Sequence, residues 1–212
     1  MSKENMLATI RAALKDVPEA ETPEDTPVPR EYLTSLETSL EDRLELFTER
    51  TEDYKVVVQR INQNDIVSRI AACLQARTAK TIVIPIDFPD NWLPEGFSFI
   101  KDENLSHQQL DESDGVITGC EVAVAQTGSI ALAAGKYQGR RAISLLPDYH
   151  LCLVFAEQVV DLVPEAFKKL EPSVQNCKPI TFISGPSATS DIELNRVEGV
   201  HGPRTLEVLL IE

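Results

Sequence analysis

The chain carries a dense set of chemistry-bearing residues in "FISGPSATSDIELNRVEGVHGP", Phe182 to Pro203. Three glycines, two prolines, several hydroxyls, three acids and a histidine share this stretch. In "SGPS", Gly185 permits a sharp turn, and Ser187 is placed to cap whatever follows Pro186. Exposed backbone N–H groups at such a turn form an anion site, to which Ser187 and Thr189 add hydroxyl donors. Asp191 and Glu193 share a face only on extended chain. In "GVHGPR", His201 sits in a glycine turn with Gly202, where an imidazole can transfer protons or hold an anion. Arg204 follows and can fork onto a carboxylate or phosphate. Acid–base chemistry at this loop would fall to His201, Asp191 or Glu193.

A second stretch, "GVITGCEVAVAQTGSIALAAG", spans Gly115 to Gly135. Two apolar segments flank "QTGS", whose Thr127, Gly128 and Ser129 make a hydroxyl-lined turn suited to a carboxylate or phosphate. A plain hairpin turn is the simpler alternative. A third stretch, "SLLPDYH", places Asp148 and His150 at the start of a strand, either as polar caps or as site residues. His107 lies in a polar segment and reads as a solvated surface residue. No dinucleotide fingerprint, phosphate-binding P-loop, nucleophile elbow or H-E-x-x-H pair is present.

The elements that must position these residues follow from periodicity. Ser2 to Lys15 reads as a helix capped by Ser2, with Met6, Ile10, Ala13 and Leu14 on one face. Val17 to Arg30 holds four prolines among acids and reads as an extended linker, so residues 1–30 form a helical arm and residues 31–212 the domain. Glu31 to Arg50 carries a stripe of Leu33, Leu36, Leu40, Leu44 and Phe47, the pattern of an amphipathic helix. A strand at Tyr54–Val58 follows. Next comes a helix capped by Asn62 or Asn64, with Ile66, Ile70, Cys73 and Leu74 inward, and then a buried strand at Thr81–Ile86. This βαβ order implies a parallel sheet flanked by helices. Further strands are expected at Gly115–Ile117, Glu121–Ala125, Ser129–Ala133, Leu151–Phe155, Ile180–Ile183 and Leu206–Ile211, with a helix near Pro164–Leu170. All nine glycines lie from Gly96 onward, so the first half builds scaffold and the second half the special loops. On this reading the Phe182–Pro203 loop and the Thr127–Ser129 turn converge at the carboxyl edge of the parallel sheet.

Bulk properties exclude whole classes. A net charge of −14 over 212 residues repels nucleic acid and anionic membranes, although a small anionic ligand can still be held locally. Cys73, Cys120, Cys152 and Cys177 form no C-x-x-C pair, which predicts reduced thiols and no metal. No apolar run approaches the roughly 20 residues of a membrane span, and the first residues do not read as a secretory signal, so a cytoplasmic protein is expected.

Three ordered blocks, "TGCEVAVAQTGSIAL", "SLLPDYHLCLVF" and "GPSATSDIELNRVEGVHGPRTLEVLLI", together resemble the lactate utilization protein C family, built on the LUD domain. The resemblance implies a fold similar to the NagB, ribose-5-phosphate isomerase (RpiA) and CoA-transferase group. It also implies an accessory role in bacterial oxidation of L-lactate to pyruvate. The implied partners are two iron–sulfur proteins that carry the clusters, while this chain binds no cofactor directly. Family members often have an acid where this chain has Gln126, and an amide cannot act as a carboxylate base or acyl acceptor. Three functions stay open: the accessory subunit, a free-standing CoA-transferase or sugar-phosphate-isomerase type of enzyme, and a non-catalytic ligand sensor or assembly factor.

Overall fold

A computed structural model describes residues 2–16, 22, 31–190, 196–198 and 202–212. The chain divides into two units, Met1–Leu33 and Thr34–Glu212. In the first, helix α1 (Lys3–Ala13) begins where Ser2 Oγ accepts from the Asn5 amide at 3.3 Å. Its apolar residues Met6, Leu7 and Ile10, with Leu14 just beyond, are exposed.

The second unit opens with α2 (Leu40–Glu52), which starts later than the leucine stripe suggests. Ser39 stops it: its hydroxyl accepts from the Asp42 amide at 3.1 Å, and Glu41 and Asp42 complement the positive end of the helix. Thr38 is drawn off by a hydrogen bond to the buried Asp161 carboxylate. Leu33, Leu36 and Leu40 are therefore exposed, and only Leu44 and Phe47 of the stripe reach the core.

Strand β1 (Val57–Ile61) starts after Tyr54 and Lys55, which are used in the turn that leaves α2; Lys55 has φ +66°. Helix α3 (Ile66–Ala76) buries Ile66, Ile70, Cys73 and Leu74, as its spacing requires. Neither asparagine caps it by a side-chain bond, because a 3-10 turn at Gln63–Asp65 precedes it. There follow β2 (Thr81–Ile84), β3 (Ser98–Lys101), α4 (His107–Asp111), β4 (Gly115–Thr118), β5 (Val122–Val124), β6 (Ser129–Leu132) and β7 (Tyr149–Phe155). The last elements are β8 (Val159–Val160), α5 (Val163–Gln175), β9 (Thr181–Ile183), β10 (Ala188–Ser190), β11 (Arg196–Glu198) and β12 (Thr205–Ile211).

Six strands form one parallel sheet in the order β1-β12-β7-β4-β2-β3. Helix α3 covers one face, packing Ile66, Ile70 and Leu74 against Ile82, Ile117, Leu151 and Leu209. This is the expected mostly parallel α/β architecture. The other face is not covered by helices alone. β8-β5-β6-β9 form a second, mixed sheet that lies over it. Alternation along these strands is apolar on both sides. Ala123, Ala125, Ile130 and Leu132 pack inward with Leu44, Phe47, Val154 and Val208. Val122, Val124 and Ala131 pack outward with Ala166 and Leu170 of α5. A sheet buried on both faces reads as continuous hydrophobic sequence. The remaining pair, β10 and β11, is an antiparallel hairpin. Among the described residues no helix is long and apolar enough to cross a membrane.

Candidate functional site

In a parallel sheet every residue just before a strand lies at one edge, and every residue just after lies at the other. This rule separates two groups of residues.

Parts of the sequence-predicted cluster lie against one another. Ser129 Oγ and Ser184 Oγ are 2.6 Å apart, joining the β5–β6 turn to the end of β9. The Ser187 amide donates to Pro203 O at 2.8 Å, and a Cβ on Gly202 would touch Ser187. However, Gly202–Arg204 precede β12, Asp148 precedes β7, and Tyr54, against which Gly185 packs, precedes β1. The cluster thus sits at the amino edge of the parallel sheet, not the carboxyl edge. The expectation failed because β5, β6 and β9 belong to the second sheet.

Both turn glycines in this cluster serve chain packing. Gly128, at φ +58°, would place a Cβ 2.5 Å from the Arg50 carbonyl carbon at the end of α2. Gly185, at φ +112°, would place one 2.6 Å from Tyr54 Cβ. Thr127 Oγ1 is buried without a hydrogen-bond partner. Gln126 is exposed at the same turn. Arg204 pairs with Asp148 at 3.6 Å, both exposed. Thr189 lies on β10. His201, Asp191 and Glu193 lie outside the described residues.

His150 is a core residue. It is buried in β7, and its Nε2 lies 2.7 Å from Thr118 Oγ1. Burial pulls its pKa down to about 4, so it is neutral near pH 7. His107 is exposed at the first position of α4.

The carboxyl edge holds a cleft of about 350 Å³. It is built from the segments that follow β2 (Trp92), β4 (Gly119–Glu121), β6 (Lys136–Gln138) and β7 (Phe155–Gln158). After β2 the chain moves outward to β3; after β4 it moves inward to β7. The strand order therefore reverses between β2 and β4, and such a switch point opens a crevice at the carboxyl ends.

The cleft has an aromatic wall. Trp92 packs edge-on against Tyr137 at 5.5 Å and lies 5.7 Å from Phe155, centroid to centroid. Its floor is polar. Glu121 Oε2 accepts from Gln138 Nε2 at 2.8 Å, and Gln138 Oε1 accepts from the Ala133 amide at 2.6 Å. Gln158 Nε2 donates to Cys120 O at 2.7 Å, while its Oε1 accepts from the Phe155 amide at 2.9 Å. These bonds lock both amides in one orientation. Contact with the Cys152 thiol, together with burial, holds Cys120 far above the ordinary thiol range, so it remains an inert thiol.

Lys136 is the cation at the rim. Its Nζ lies 4.6 Å from the Tyr137 ring centroid, and interaction with Tyr137 strengthens its hold on the proton. The loop that carries it is held in a rarely used conformation: Ala134 has φ +48°, Tyr137 +61° and Gly139 +66°. A tyrosine at positive φ persists only where its surroundings fix it. Here the Tyr137 carbonyl accepts from the Gly119 amide at 2.7 Å, and its own amide donates to Asp87 at 2.9 Å.

The LUD domain family model matches residues 90–211, which include most of the parallel sheet and the whole cleft. Over nearly its full length the chain is similar to a lactate utilization protein C from Deinococcus radiodurans, 41% identical over 99% of this chain and 95% of the relative. The chain belongs to the LUD domain family. A lactate utilization protein C from Shouchella clausii is 33% identical over 49% of this chain and 46% of the relative. For YkgG of Escherichia coli, a protein described as uncharacterized, the match is 34% over 52% of this chain and 48% of the relative. The crystal structure of a DUF162 family protein from Deinococcus radiodurans superposes with a TM-score of 0.74 at 36% identity, covering 83% of this chain and all of that one. The LUD domain match leaves the arm and the first strands outside it, because residues 1–89 fall beyond its bounds.

Sequence reasoning missed the cleft. One signal was present: "GKYQG" brackets a cation, an aromatic ring and an amide between Gly135 and Gly139. Among the described residues, no group of three or more His, Cys, Asp or Glu side chains is placed to hold a metal ion.

Proposed function

We propose that this LUD domain protein is a subunit of a cytoplasmic system that oxidises L-lactate to pyruvate. It works with two iron–sulfur proteins, which carry the electrons, and its own part is to bind a small anionic ligand. The observation that carries this reading is the match, along almost the whole chain, to a protein named lactate utilization protein C. The carboxyl-edge cleft offers such a ligand a place, because a switch point of a parallel sheet opens a crevice and Lys136 supplies one cation beside the carboxylates of Glu121 and Glu157.

The test is genetic and biochemical. A strain lacking this chain should fail to grow on L-lactate while growing normally on pyruvate. The tagged chain, purified without oxygen, should bring down two iron–sulfur proteins in fixed proportion. Normal growth of the deletion strain on L-lactate as sole carbon source would overturn the reading.

A further inference from the structure

We propose that two copies of this chain associate through β9, joining their second sheets antiparallel on a twofold axis that passes through Phe182.

The edges of the two sheets are not treated alike. A strand that ends a sheet shows a row of unpaired N–H and C=O groups, and charged side chains or a covering element guard such a row. The parallel sheet ends in β1, which carries Arg60, and in β3, which carries Lys101. Glu41 and Glu212 hold Arg60, and Asp90 holds Lys101. In the second sheet β8 is covered by α2, whose Leu44 and Phe47 pack against Val159 and whose Arg43 donates to the Val159 carbonyl at 3.4 Å. β9 ends that sheet on the other side. Its residues Thr181, Phe182 and Ile183 hold no charge, and among the described residues its backbone pairs only with β6. Of the four edges of these two sheets, β9 is the unguarded one.

The surface beside it is apolar. Phe182 and Phe167 of α5 lie 5.7 Å apart, centroid to centroid, and remain 41% and 54% exposed. Val174, two turns beyond Phe167 on the same face of α5, is exposed as well. A strand of three residues supplies few hydrogen bonds, so this apolar surface has to carry most of the contact.

Charge and symmetry point to a second copy as the occupant. Copies of a chain with net charge −14 repel one another, so they meet most readily where acid is sparse. Residues 163–183, which hold α5 and β9, carry Lys168, Lys169 and Lys178 against Glu165 and Glu171, a net charge of +1. Glu165 is moreover turned to the start of α5, where it accepts from the Leu162 amide at 2.7 Å. An antiparallel pairing centred on Phe182 sets each Thr181 against Ile183 of the second copy, and the two Phe182 residues opposite each other. A twofold axis perpendicular to the sheet leaves both α5 helices on the same face, with Phe167 of each beside the paired Phe182 rings. Two four-stranded sheets then become one.

The test is the mass of the full-length protein in solution, read by sedimentation equilibrium from about 1 to about 100 μM, the range suited to a small interface. The native chain should reach twice the 23.5 kDa of one copy within that range. Phe182→Lys and Phe182→Glu each set like charges opposite one another, and each should weaken association at least about tenfold. Phe182 is exposed, so both variants should fold, and unchanged circular dichroism spectra check that. An equimolar mixture of the two should regain the dimer, because a lysine then faces a glutamate across the axis. A native chain that stays at 23.5 kDa throughout would overturn the proposal and leave β9 to a strand of another protein. Undiminished association of Phe182→Lys would overturn it too. So would single variants that fall apart and a mixture that does not recover, since Phe182 would then meet a different part of the second copy.

Discussion

The Ser129 and Ser184 hydroxyls, 55 positions apart in the chain, meet at 2.6 Å. The contact adds to the β6–β9 ladder, in which Ile130 pairs with Ile183, at the start of β6 and just past the end of β9. A neutral hydroxyl pair of this kind contributes about 1 kcal/mol net. Ser129→Ala and Ser184→Ala should each lower stability by about that amount, and the double variant should lose less than their sum. Urea denaturation of the four proteins measures the coupling. Strict additivity would show that the two hydroxyls do not depend on each other.

The glycines separate conformational cost from steric cost. Gly96 and Gly128 both have positive φ, +90° and +58°, yet a Cβ on Gly96 would meet nothing within 4 Å. Gly96→Ala should therefore cost about 1 kcal/mol, the backbone penalty alone. Gly128→Ala should cost well over about 2 kcal/mol, because its Cβ would also press on the Arg50–Thr51 peptide. Thermal unfolding of the pair checks the difference. Equal effects would mean that the turn can move away from α2.

Phe47 and Leu40 belong to the same leucine stripe but not to the same environment. Phe47 is fully buried against the second sheet, whereas Leu40 is 52% exposed. Phe47→Ala should cost about 3–5 kcal/mol, and Leu40→Ala about 0.5 kcal/mol or less. A large loss at Leu40 would mean that the start of the stripe is packed in the folded protein.

These residues also show what sequence could and could not say. The inward face of α3 was legible because Ile66, Ile70, Cys73 and Leu74 repeat at helical spacing on a helix with one wet side. The start of α2 was not, because Leu33, Leu36 and Leu40 keep the same spacing in solvent, and a local cap at Ser39 outweighs periodicity. β5 and β6 were recognisable as strands. Their sheet was not, since Val122 and Ala123 are equally apolar while facing different layers. β3 escaped notice as a short strand at the edge of the sheet with two exposed residues. Gathering the serines and glycines was legible from their composition. The edge they occupy was not, because it depends on which sheet each strand joins. Trp92, Lys136 and Gln158 carry no shared motif, and only the strand order brings them to one cleft.

Asp161 is a buried residue that holds three partners, two of them through its carboxylate. It accepts from Thr38 Oγ1 and from Arg43 Nε at 3.1 Å, and its backbone oxygen accepts from the Gln126 amide at 3.1 Å. The pair with Arg43 anchors α2 to the second sheet. Removing one side of a buried pair leaves the other uncompensated. Arg43 is 24% exposed and can partly recover water, so Asp161→Ala should cost about 2–3 kcal/mol, below the full penalty for a buried charge. Asp161→Asn keeps an acceptor for Thr38 and should cost less. A chemical melt that ranks Asn at or below Ala would show that neither shape nor the Thr38 bond holds this site, leaving the charge opposite Arg43 as the part that matters.

His150 gives the protein a sensitivity to mild acid. The ring is buried beside Thr118, and desolvation lowers its pKa to about 4 from the ordinary 6.5. The unfolded chain therefore takes up a proton at a pH where the native ring refuses it. Stability is complete above about pH 6.5 and falls as the pH drops toward about 4, because the unfolded state binds more protons across that window. At pH 4.5 the loss relative to pH 7.5 should be roughly 2 kcal/mol from this one residue. The carboxylates of Glu41, Glu212 and Asp114 are held below their usual range, the first two by Arg60 and the third by the Thr81 and Lys80 amides. Their contribution starts to fall near the ordinary carboxylate values, 4.5 for Glu41 and Glu212 and 3.8 for Asp114, so the two glutamates add to the acid loss at the low end of this window. His150→Leu removes the titrating group. It should be less stable at pH 7.5, having left Thr118 Oγ1 without its partner, yet it should lose clearly less stability than the parent between pH 7.5 and 4.5, keeping only the carboxylate part of the loss. Denaturant melts at the two pH values give the four numbers. An equal acid loss in both proteins would mean that the native ring takes up its proton as readily as the unfolded one.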